Sequence, residues 1–210
     1  MTRIAIVGAG NVGGNLGVTL AGAGYSVAFG VRPDADVSEL LGRCQGRAEA
    51  KPIADAVASS DVVFLAVPGN VAVEAARSLG NVDGKVLVDC TNVLKWDAGP
   101  VWTPPPEGSG AAAIAKAVPG ARVVKAFNTF GAEFHKNPKI GDQAADVYIA
   151  GDDADAKQLV AGIAERAGYT AVDAGPLRNA ALLENLAILW IHLAMVGGKG
   201  RDFAFKILSR

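Results

Sequence analysis

The first residues in this chain that suggest chemistry are three closely spaced glycines. Gly8, Gly10 and Gly13 follow the apolar run Arg3–Val7 and precede a segment compatible with a helix. Gly8 permits a tight turn, Gly10 leaves the backbone open to a pyrophosphate, and Gly13 lets a helix pack closely on the strand. The N-terminus of that helix favours an anion. The spacing therefore predicts a dinucleotide-binding site, and a plain structural strand–helix turn is the alternative.

The end of the second predicted strand indicates which dinucleotide binds. In Ser26–Val31, Gly30 stands where an Asp or Glu would hydrogen-bond the ribose 2′-OH of NAD. Arg32 follows, and its guanidinium suits a 2′-phosphate. We therefore expect NADP(H) rather than NAD(H); the alternative for Arg32 is an ordinary solvated surface charge.

Further polar and apolar residues follow other predicted strands. Ligands of open α/β sheets bind outside the carboxyl ends of the strands. Val67 and Pro68 follow one such strand and are predicted to contact the ribose on the nicotinamide side. Asn92 and Asn128 follow two more and offer amide hydrogen bonds to a cofactor or acceptor. Turn chemistry, which Asn also favours, is the alternative for both.

Candidates for acid–base or metal chemistry are few. His192 lies in an apolar helical run and is expected to be a core or interface residue, whereas His135 lies in a polar segment and is expected to be a solvated loop residue. The cysteines Cys44 and Cys90 lack the spacing of metal ligands, so we expect no metal site. Cys90 reads as a small core residue. This pattern favours hydride transfer to an acceptor such as a flavin-like ring, which needs little proton transfer from the protein.

The elements that must position these residues alternate between strand and helix, which predicts an α/β fold with a doubly wound parallel sheet, the Rossmann arrangement. The predicted strands are Arg3–Val7, Ser26–Val31, Ala48–Lys51, Val62–Ala66, Lys85–Asp89, Arg122–Ala126, Asp146–Ala150 and Thr170–Val172. The predicted helices are Val12–Ala23, Ala35–Leu41, Pro52–Ala58, Val71–Ser78, Ala154–Ala167, Leu177–Met195 and Arg201–Leu208. We expect a nucleotide-binding domain over residues 1–175 and a short helical extension over residues 176–210 that completes the acceptor site or a dimer interface.

One connection is unusually long. Asn92 to Ser109 holds Trp96, Trp102 and three successive prolines that end at Pro106. Long loops of this kind often act as lids or binding loops. A proline-stiffened clamp or a dimer contact is an equal alternative for the Trp96–Pro106 segment.

The composition limits the classes of partner. Of the 210 residues, 50% are hydrophobic, which is enough for a sizeable core. Acidic and basic residues nearly balance, so the net charge is −1. This balance argues against nucleic acid or an anionic membrane as the main partner. The glycine-rich turn begins almost at once, so we expect no secretory signal and a cytoplasmic location.

Several blocks of sequence together resemble one known family. They are Gly8–Gly13, Gly30–Arg32, Leu65–Pro68, Val88–Asn92, Val124–Thr129, Ala150–Asp153 and Asp173–Leu177. In this order they are similar to the NADP oxidoreductases typified by NADPH-dependent coenzyme F420 reductases, a family related to the reductase domain of the STEAP metalloreductases. The resemblance covers almost the whole chain, and the Lys-Ala-Phe-Asn-Thr and Asp-Ala-Gly-Pro-Leu blocks are its more specific parts.

The resemblance implies hydride exchange between the nicotinamide and a deazaflavin stacked in one cleft of a protein that is usually dimeric. It assigns Gly10, Asn11, Val12 and Arg32 to NADP, Val67 and Pro68 to its ribose, Ala126 and Asn128 to the nicotinamide region, and Pro176 and Leu177 to the deazaflavin. Asn128 and Pro68 would position rings rather than move protons.

This chain departs from the family pattern at two positions that bear on its ligands. Val31 stands where family members commonly have Ser or Thr, and Asn128 stands where archaeal members have His. These departures affect the identity of the acceptor more than the binding of NADP.

We therefore expect an NADP-dependent oxidoreductase with coenzyme F420 or a flavin as acceptor. The alternatives are an NADPH-dependent reductase of a small imine or carbonyl compound, and a non-catalytic NADP(H)-sensing regulator that uses its apolar C-terminal helix as a contact surface.

Overall fold

The computed structural model describes residues 2–209, and within them eight strands form one central sheet beside two short two-stranded ribbons. The strands are β1 Arg3–Val7, β2 Ser26–Val31, β3 Ala48–Pro52, β4 Val62–Leu65, β5 Val86–Asp89, β6 Leu94–Trp96, β7 Pro100–Trp102, β8 Arg122–Lys125, β9 Lys139–Ile140, β10 Gln143–Ala144, β11 Asp146–Gly151 and β12 Thr170–Asp173. The helices are α1 Asn11–Gly22, α2 Ser38–Arg43, α3 Ile53–Ala58, α4 Ala72–Arg77, α5 Gly110–Ala117, α6 Ala132–Lys136, α7 Ala154–Arg166 and α8 Ala180–Met195, with 3₁₀ turns at Gly69–Val71 and Leu177–Asn179.

The strands of the central sheet lie in the order β12-β11-β8-β5-β4-β1-β2-β3. The chain starts in the middle at β1, adds β2 and β3 on one side, and then adds β4, β5 and β8 on the other. These six strands pair in parallel. The predicted doubly wound Rossmann fold is therefore confirmed, and its order reverses beside β1, where the carboxyl ends of β1 and β4 open a crevice.

Both faces of this sheet are covered, which explains the nearly continuous apolar runs of its strands. Successive residues of a strand point to opposite faces. Ile4 and Ile6 accordingly belong to one hydrophobic cluster, whereas Ala5 and Val7 belong to the other. Helix α1 packs on the first face with so little space at Gly17 that a methyl group there would overlap the ring of Phe29.

One edge of the sheet corrects the expectation of a wholly parallel arrangement. Strand β11 is antiparallel to β8, with Ala150 opposite Lys125, and then pairs in parallel with β12. Between β8 and β11 the chain runs through α6 and the β9–β10 ribbon, neither of which the sequence pattern predicted. In this connection α6 packs on α1, where Asn15 Nδ2 donates to the carbonyl of Ala132 at 3.0 Å, and the chain then re-enters the sheet in the opposite direction.

The prediction of a C-terminal helix over Arg201–Leu208 is wrong. Gly198 and Gly200 adopt positive φ values of 69° and 76°, so the chain leaves the helical path after α8. The segment that follows is extended and lies along the body. Trp190 Nε1 donates to the carbonyl of Phe203 at 2.7 Å, and the Ile207 amide donates to Asp146 Oδ2 at 2.7 Å.

The segment after residue 175 shares its hydrophobic core with the sheet. Leu177 and Ala180 are buried in the same cluster as Val63 and Leu65 of β4. The division at residue 175 stays a prediction. No helix in residues 2–209, α8 included, is long and apolar enough to cross a bilayer.

Candidate functional site

The glycine-rich turn between β1 and α1 serves two different requirements. Gly8 has a φ of 105°, and a Cβ there would overlap the carbonyl of Ala66. A Cβ at Gly13 would overlap the carbonyl of Gly8, so these two glycines are required by close backbone packing. Gly10 differs, because a Cβ there would meet no atom of residues 2–209 within 4 Å. The space over Gly10 is open, as expected where a pyrophosphate approaches the backbone.

The N-terminus of α1 has the properties of an anion site. Its first helical hydrogen bond runs from the Gly14 amide to the Gly10 carbonyl at 2.7 Å, which leaves the amides of Asn11 and Val12 without helical partners. In the described first turn of α1 there is neither a side-chain cap nor an acidic residue. The residues present therefore fit the pyrophosphate of NADP.

A cleft of about 540 Å³ extends from this turn between β2 and the loop after β4. Its lining includes Gly8, Gly30 and Arg32 on one side and Val67 and Pro68 on the other. Arg32 is exposed at its mouth, where a guanidinium can reach a 2′-phosphate. The structure thus brings together the predicted phosphate, ribose and Arg32 positions in one crevice.

Asp36 lines the same cleft and was not singled out from the sequence. Its Oδ1 accepts a hydrogen bond from the Ser38 amide at 3.0 Å, and this backbone contact lowers the pKa of the carboxyl below its usual value. Asp36 and Arg32 thus both line the cleft in which a 2′-phosphate is expected. The signal was present as an acidic residue four positions after Arg32.

The loops after β4, β5 and β8 meet at the carboxyl edge of the sheet. A Cβ at Gly69 would overlap the carbonyl of Asn92, so these loops approach within backbone contact. Asn92 Nδ2 donates to the carbonyl of Asn128 at 2.9 Å, and Asn128 Nδ2 donates to Asn92 Oδ1 at 2.9 Å. Asn128 Nδ2 also donates to the carbonyl of Leu183 on α8 at 3.1 Å.

An unusual backbone conformation delivers Asn128 to this position. Phe127 has a φ of 62°, in the left-handed region that bulky residues rarely adopt. Strained residues of this kind cluster at functional sites. Asn128 is buried, and its Oδ1 has no hydrogen-bond partner among the described residues. An unpaired acceptor at this depth calls for a donor that the described residues do not supply. Ala126 is fully buried beside it.

Three fully buried charged side chains lie directly behind this edge, and sequence reasoning missed them as a group. Lys125 Nζ contacts Asp89 Oδ2 at 2.9 Å and Glu184 Oε1 at 3.4 Å, and it also donates to the carbonyl of Thr91. Glu184 accepts further bonds from Trp102 Nε1 and the Gly110 amide, each at 2.9 Å. A lysine inside an otherwise apolar strand was the available signal. We call Asp89, Lys125 and Glu184 the buried charge cluster.

The long connection after β5 is not a structureless loop. Its β6–β7 ribbon pairs Leu94 with Trp102 and Trp96 with Pro100. The bond from Trp102 to Glu184 anchors the ribbon on α8, while Trp96 remains exposed. The expected lid or clamp is therefore fixed at its base, and its role toward a ligand stays a prediction.

The predicted acceptor residues lie at the start of α8. Pro176 is exposed, whereas the Leu177 side chain is buried in the core. The Leu177 amide donates to Asp152 Oδ1 at 2.9 Å, which fixes this turn at the end of β11. The exposed Pro176 remains available to a ring, and the assignment of both residues to the acceptor stays a proposal.

The remaining titratable candidates do not face the crevice. His135 is fully buried, which corrects the expectation of a solvated loop residue. It lies in α6, packs against Phe127 and Phe130, and its carbonyl accepts from Thr19 Oγ1 of α1 at 2.5 Å. Burial lowers the pKa of its imidazole to about 4.

His192 and Cys90 are the other two candidates that the sequence suggested. His192 is exposed on α8, so the expectation of a core position is wrong and an interface role stays a prediction. Cys90 is buried, as expected, and burial raises the pKa of its thiol, so it is suited to packing rather than to nucleophilic attack.

The chain is similar in sequence and in structure to several known proteins. The model of the family described as NADP oxidoreductase coenzyme F420-dependent matches residues 3–93. An F420-dependent NADP reductase from Methanothermobacter thermautotrophicus is 32% identical over 212 residues, which cover 91% of this chain and 88% of that protein. A crystal structure from Arthrobacter sp. FB24, provisionally named an F420-dependent NADP-reductase, superposes with a TM-score of 0.88 at 31% identity over 100% of both chains.

The STEAP metalloreductases are also similar. Metalloreductase STEAP3 of Rattus norvegicus is 29% identical over 187 residues, which cover 89% of this chain. The chain spans only 36% of the length of that relative.

Proposed function

Because the chain belongs to the family of coenzyme F420-dependent NADP oxidoreductases, we propose that it transfers a hydride between NADP(H) and a flavin-like acceptor, with coenzyme F420 as the leading candidate. NADPH supplies the hydride from C4 of its nicotinamide, and the acceptor takes it on its ring together with a proton from solvent. The relatives support the oxidoreductase class and NADP(H); the acceptor is our proposal.

The observation that carries the proposal is the chemistry of the side chains at the carboxyl edge. Asn92 and Asn128 are amides joined to one another, and the loop that carries the apolar Pro68 meets the carbonyl of Asn92 at Gly69. The charged residues nearby in sequence, Asp89 and Lys125, are fully buried and bonded to each other. Such a site orients rings and offers no ready proton donor, which suits a flavin-like acceptor better than a carbonyl.

The chain's own residues divide the work along the crevice. The amides at the start of α1 hold the pyrophosphate, and Arg32 contacts the 2′-phosphate. Asn128 offers its unpaired Oδ1 to the carboxamide and so fixes which face of the nicotinamide is presented. Pro176, which is exposed before α8, would contact the acceptor ring stacked on that face.

The experiment that tests this function is NADPH oxidation by the purified chain with F420, FMN, FAD or no acceptor. We expect saturable reduction of F420, with deuterium passing directly from C4-deuterated NADPH to the acceptor. Tight NADPH binding without turnover on any of these acceptors would contradict the proposal. A parallel panel of imines and carbonyls identifies the metabolite-reductase alternative, and inactivity on every compound leaves the sensing function.

For the assembly we propose a homodimer that uses the apolar stripe of α8. This stripe consists of Leu182, Leu186, Leu189, Leu193 and Val196. Its most exposed members are Leu182 at 65%, Leu189 at 47% and Val196 at 45%. Their alternating spacing of four and three residues is that of helices that pair along a seam. An exposed apolar surface of this kind marks an interaction site.

A further inference from the structure

The buried charge cluster contains two acidic side chains and one basic side chain. Each carboxylate oxygen of Glu184 accepts from a donor group, Trp102 Nε1 for one and the Gly110 amide for the other. Asp89 Oδ1 accepts from the Thr91 amide and Oδ2 from Lys125. Every one of these partners is an N–H group, and each of the four carboxylate oxygens accepts a hydrogen bond from one of them.

Two carboxylates therefore share one ammonium group. The side chains of Asp89, Lys125 and Glu184 are all 0% exposed, so solvent does not screen the excess charge. Charges are felt over longer distances in such surroundings than at the surface of a protein. The fold has retained a net negative charge at a place where burial is costly.

The cluster adjoins the residues assigned to the nicotinamide through the backbone itself. Lys125 donates to the carbonyl of Thr91, the residue before Asn92. Asn128 donates to the carbonyl of Leu183, the residue before Glu184. The cluster and the amide pair thus form consecutive layers at the same edge of the sheet.

The two redox states of the cofactor differ in charge at this place. The nicotinamide ring of NADP⁺ carries a positive charge that the ring of NADPH lacks, whereas their phosphates are the same. A buried negative charge beside the ring therefore acts on one state and hardly on the other.

We propose that the buried charge cluster favours the oxidised nicotinamide over the reduced one at the adjoining site, and so makes bound NADPH a stronger hydride donor. This inference rests on the proposed function for the location of the nicotinamide. Asp89 and Glu184 are positioning residues in this scheme, because they act on the ring through the electrostatic field and not by contact.

Direct binding of the two nucleotides tests the proposal without any acceptor. Dissociation constants for NADP⁺ and NADPH are measured by calorimetry for the wild type, Glu184→Gln and Asp89→Asn. Each substitution removes one negative charge and brings the cluster to neutrality. We expect the ratio Kd(NADP⁺)/Kd(NADPH) to rise about tenfold in both, equivalent to a rise of about 30 mV in the potential of the bound two-electron couple.

Three further variants separate charge from structure. Trp102→Phe removes a hydrogen bond to Glu184 without changing charge, and Asp61→Asn removes an exposed carboxylate at the opposite edge of the sheet. Both should leave the ratio within about twofold of the wild type, since neither alters the buried charge. Lys125→Met should lower the ratio, and the double variant Lys125→Met/Glu184→Gln should restore it.

The outcomes are distinct. Weakening of both nucleotides by the same factor in Glu184→Gln and Asp89→Asn, or a ratio that does not move, overturns the inference and leaves the proposed function intact. A wild-type chain that binds neither nucleotide overturns the proposed function as well. A shifted ratio in a chain that reduces no flavin-like acceptor supports the cluster's role and refutes only the acceptor.

Discussion

Asn92 and Asn128 are joined by two hydrogen bonds across the carboxyl ends of the neighbouring strands β5 and β8. Each side-chain amide donates to the other residue at 2.9 Å, one to a carbonyl of the backbone and one to a carboxamide oxygen. The pair is extended to α8 through the carbonyl of Leu183. These hydrogen bonds thus link two loops to α8, the helix that follows the proposed acceptor residues Pro176 and Leu177.

Asn128→Ala should affect binding at the nicotinamide end of the cofactor and not at its adenosine end. It removes the unpaired Oδ1 and the Nδ2 group that donates to Asn92 Oδ1 and to the carbonyl of Leu183, so we expect hydride transfer to fall about 10- to 100-fold and stability to fall by about 1–3 kcal/mol. Binding of 2′,5′-ADP, which lacks the nicotinamide, should be unchanged by calorimetry. Asn185→Ala, which removes an exposed amide bonded only to Ala181 on α8, is the matched control. Equal losses for NADPH and 2′,5′-ADP would contradict this placement.

Arg32→Ala tests the choice of dinucleotide. Loss of the guanidinium should weaken NADPH binding about 10- to 100-fold and leave NADH nearly unaffected, because only NADPH carries the 2′-phosphate. Arg47→Ala provides the control, since Arg47 is also exposed but precedes β3 at the other end of the sheet. Equal affinities of the variant and wild type for NADPH would show that Arg32 is an ordinary solvated surface charge.

Features of the fold and the candidate site could be predicted from the sequence where the residues concerned lie close together in the chain. Gly8, Gly10 and Gly13 act within one turn, and Arg32 follows directly from the strand that ends beside it. The doubly wound order follows for the same reason, because each strand–helix unit closes on its neighbour.

The features that sequence reasoning missed depend on segments far apart in the chain. Glu184 joins Lys125 and Trp102 only after α8 folds over the sheet. His135 lies in a polar segment of the sequence, yet α6 packs on α1 and buries its side chain. The reversal of β11 could not be predicted, since strand direction leaves no periodic signal in an apolar run.

Gly10→Ala should leave folding intact, whereas Gly13→Ala should impair it. A methyl group at Gly10 meets no atom of residues 2–209 within 4 Å and the local φ is −76°, so the melting temperature should not fall. NADPH affinity should nevertheless drop at least tenfold, because the methyl group occupies the approach to the helix N-terminus. At Gly13 the same methyl group overlaps the carbonyl of Gly8 and should destabilise the fold itself. Undiminished NADPH affinity in Gly10→Ala would contradict the pyrophosphate assignment.

The apolar stripe of α8 predicts the oligomeric state. Light scattering after gel filtration should show a dimer for the wild type and a monomer for Leu182→Glu/Leu189→Glu, because two buried carboxylates at the seam have no partner. Leu208→Glu changes an equally apolar residue that is 83% exposed on the C-terminal segment and should leave the dimer intact. A monomeric wild type would refute the interface.

His135 makes stability depend on pH. Its folded pKa of about 4 lies below the ordinary value of 6.5, so the unfolded chain binds more protons between these values. The stability contributed by the neutral imidazole is complete above about pH 6.5 and is lost as the pH falls toward 4, by about 3 kcal/mol. His135→Phe, which keeps a ring among Phe127 and Phe130, should flatten this decline in urea unfolding between pH 7 and pH 4. Parallel pH profiles for the two proteins would show that His135 takes up its proton without cost to the fold.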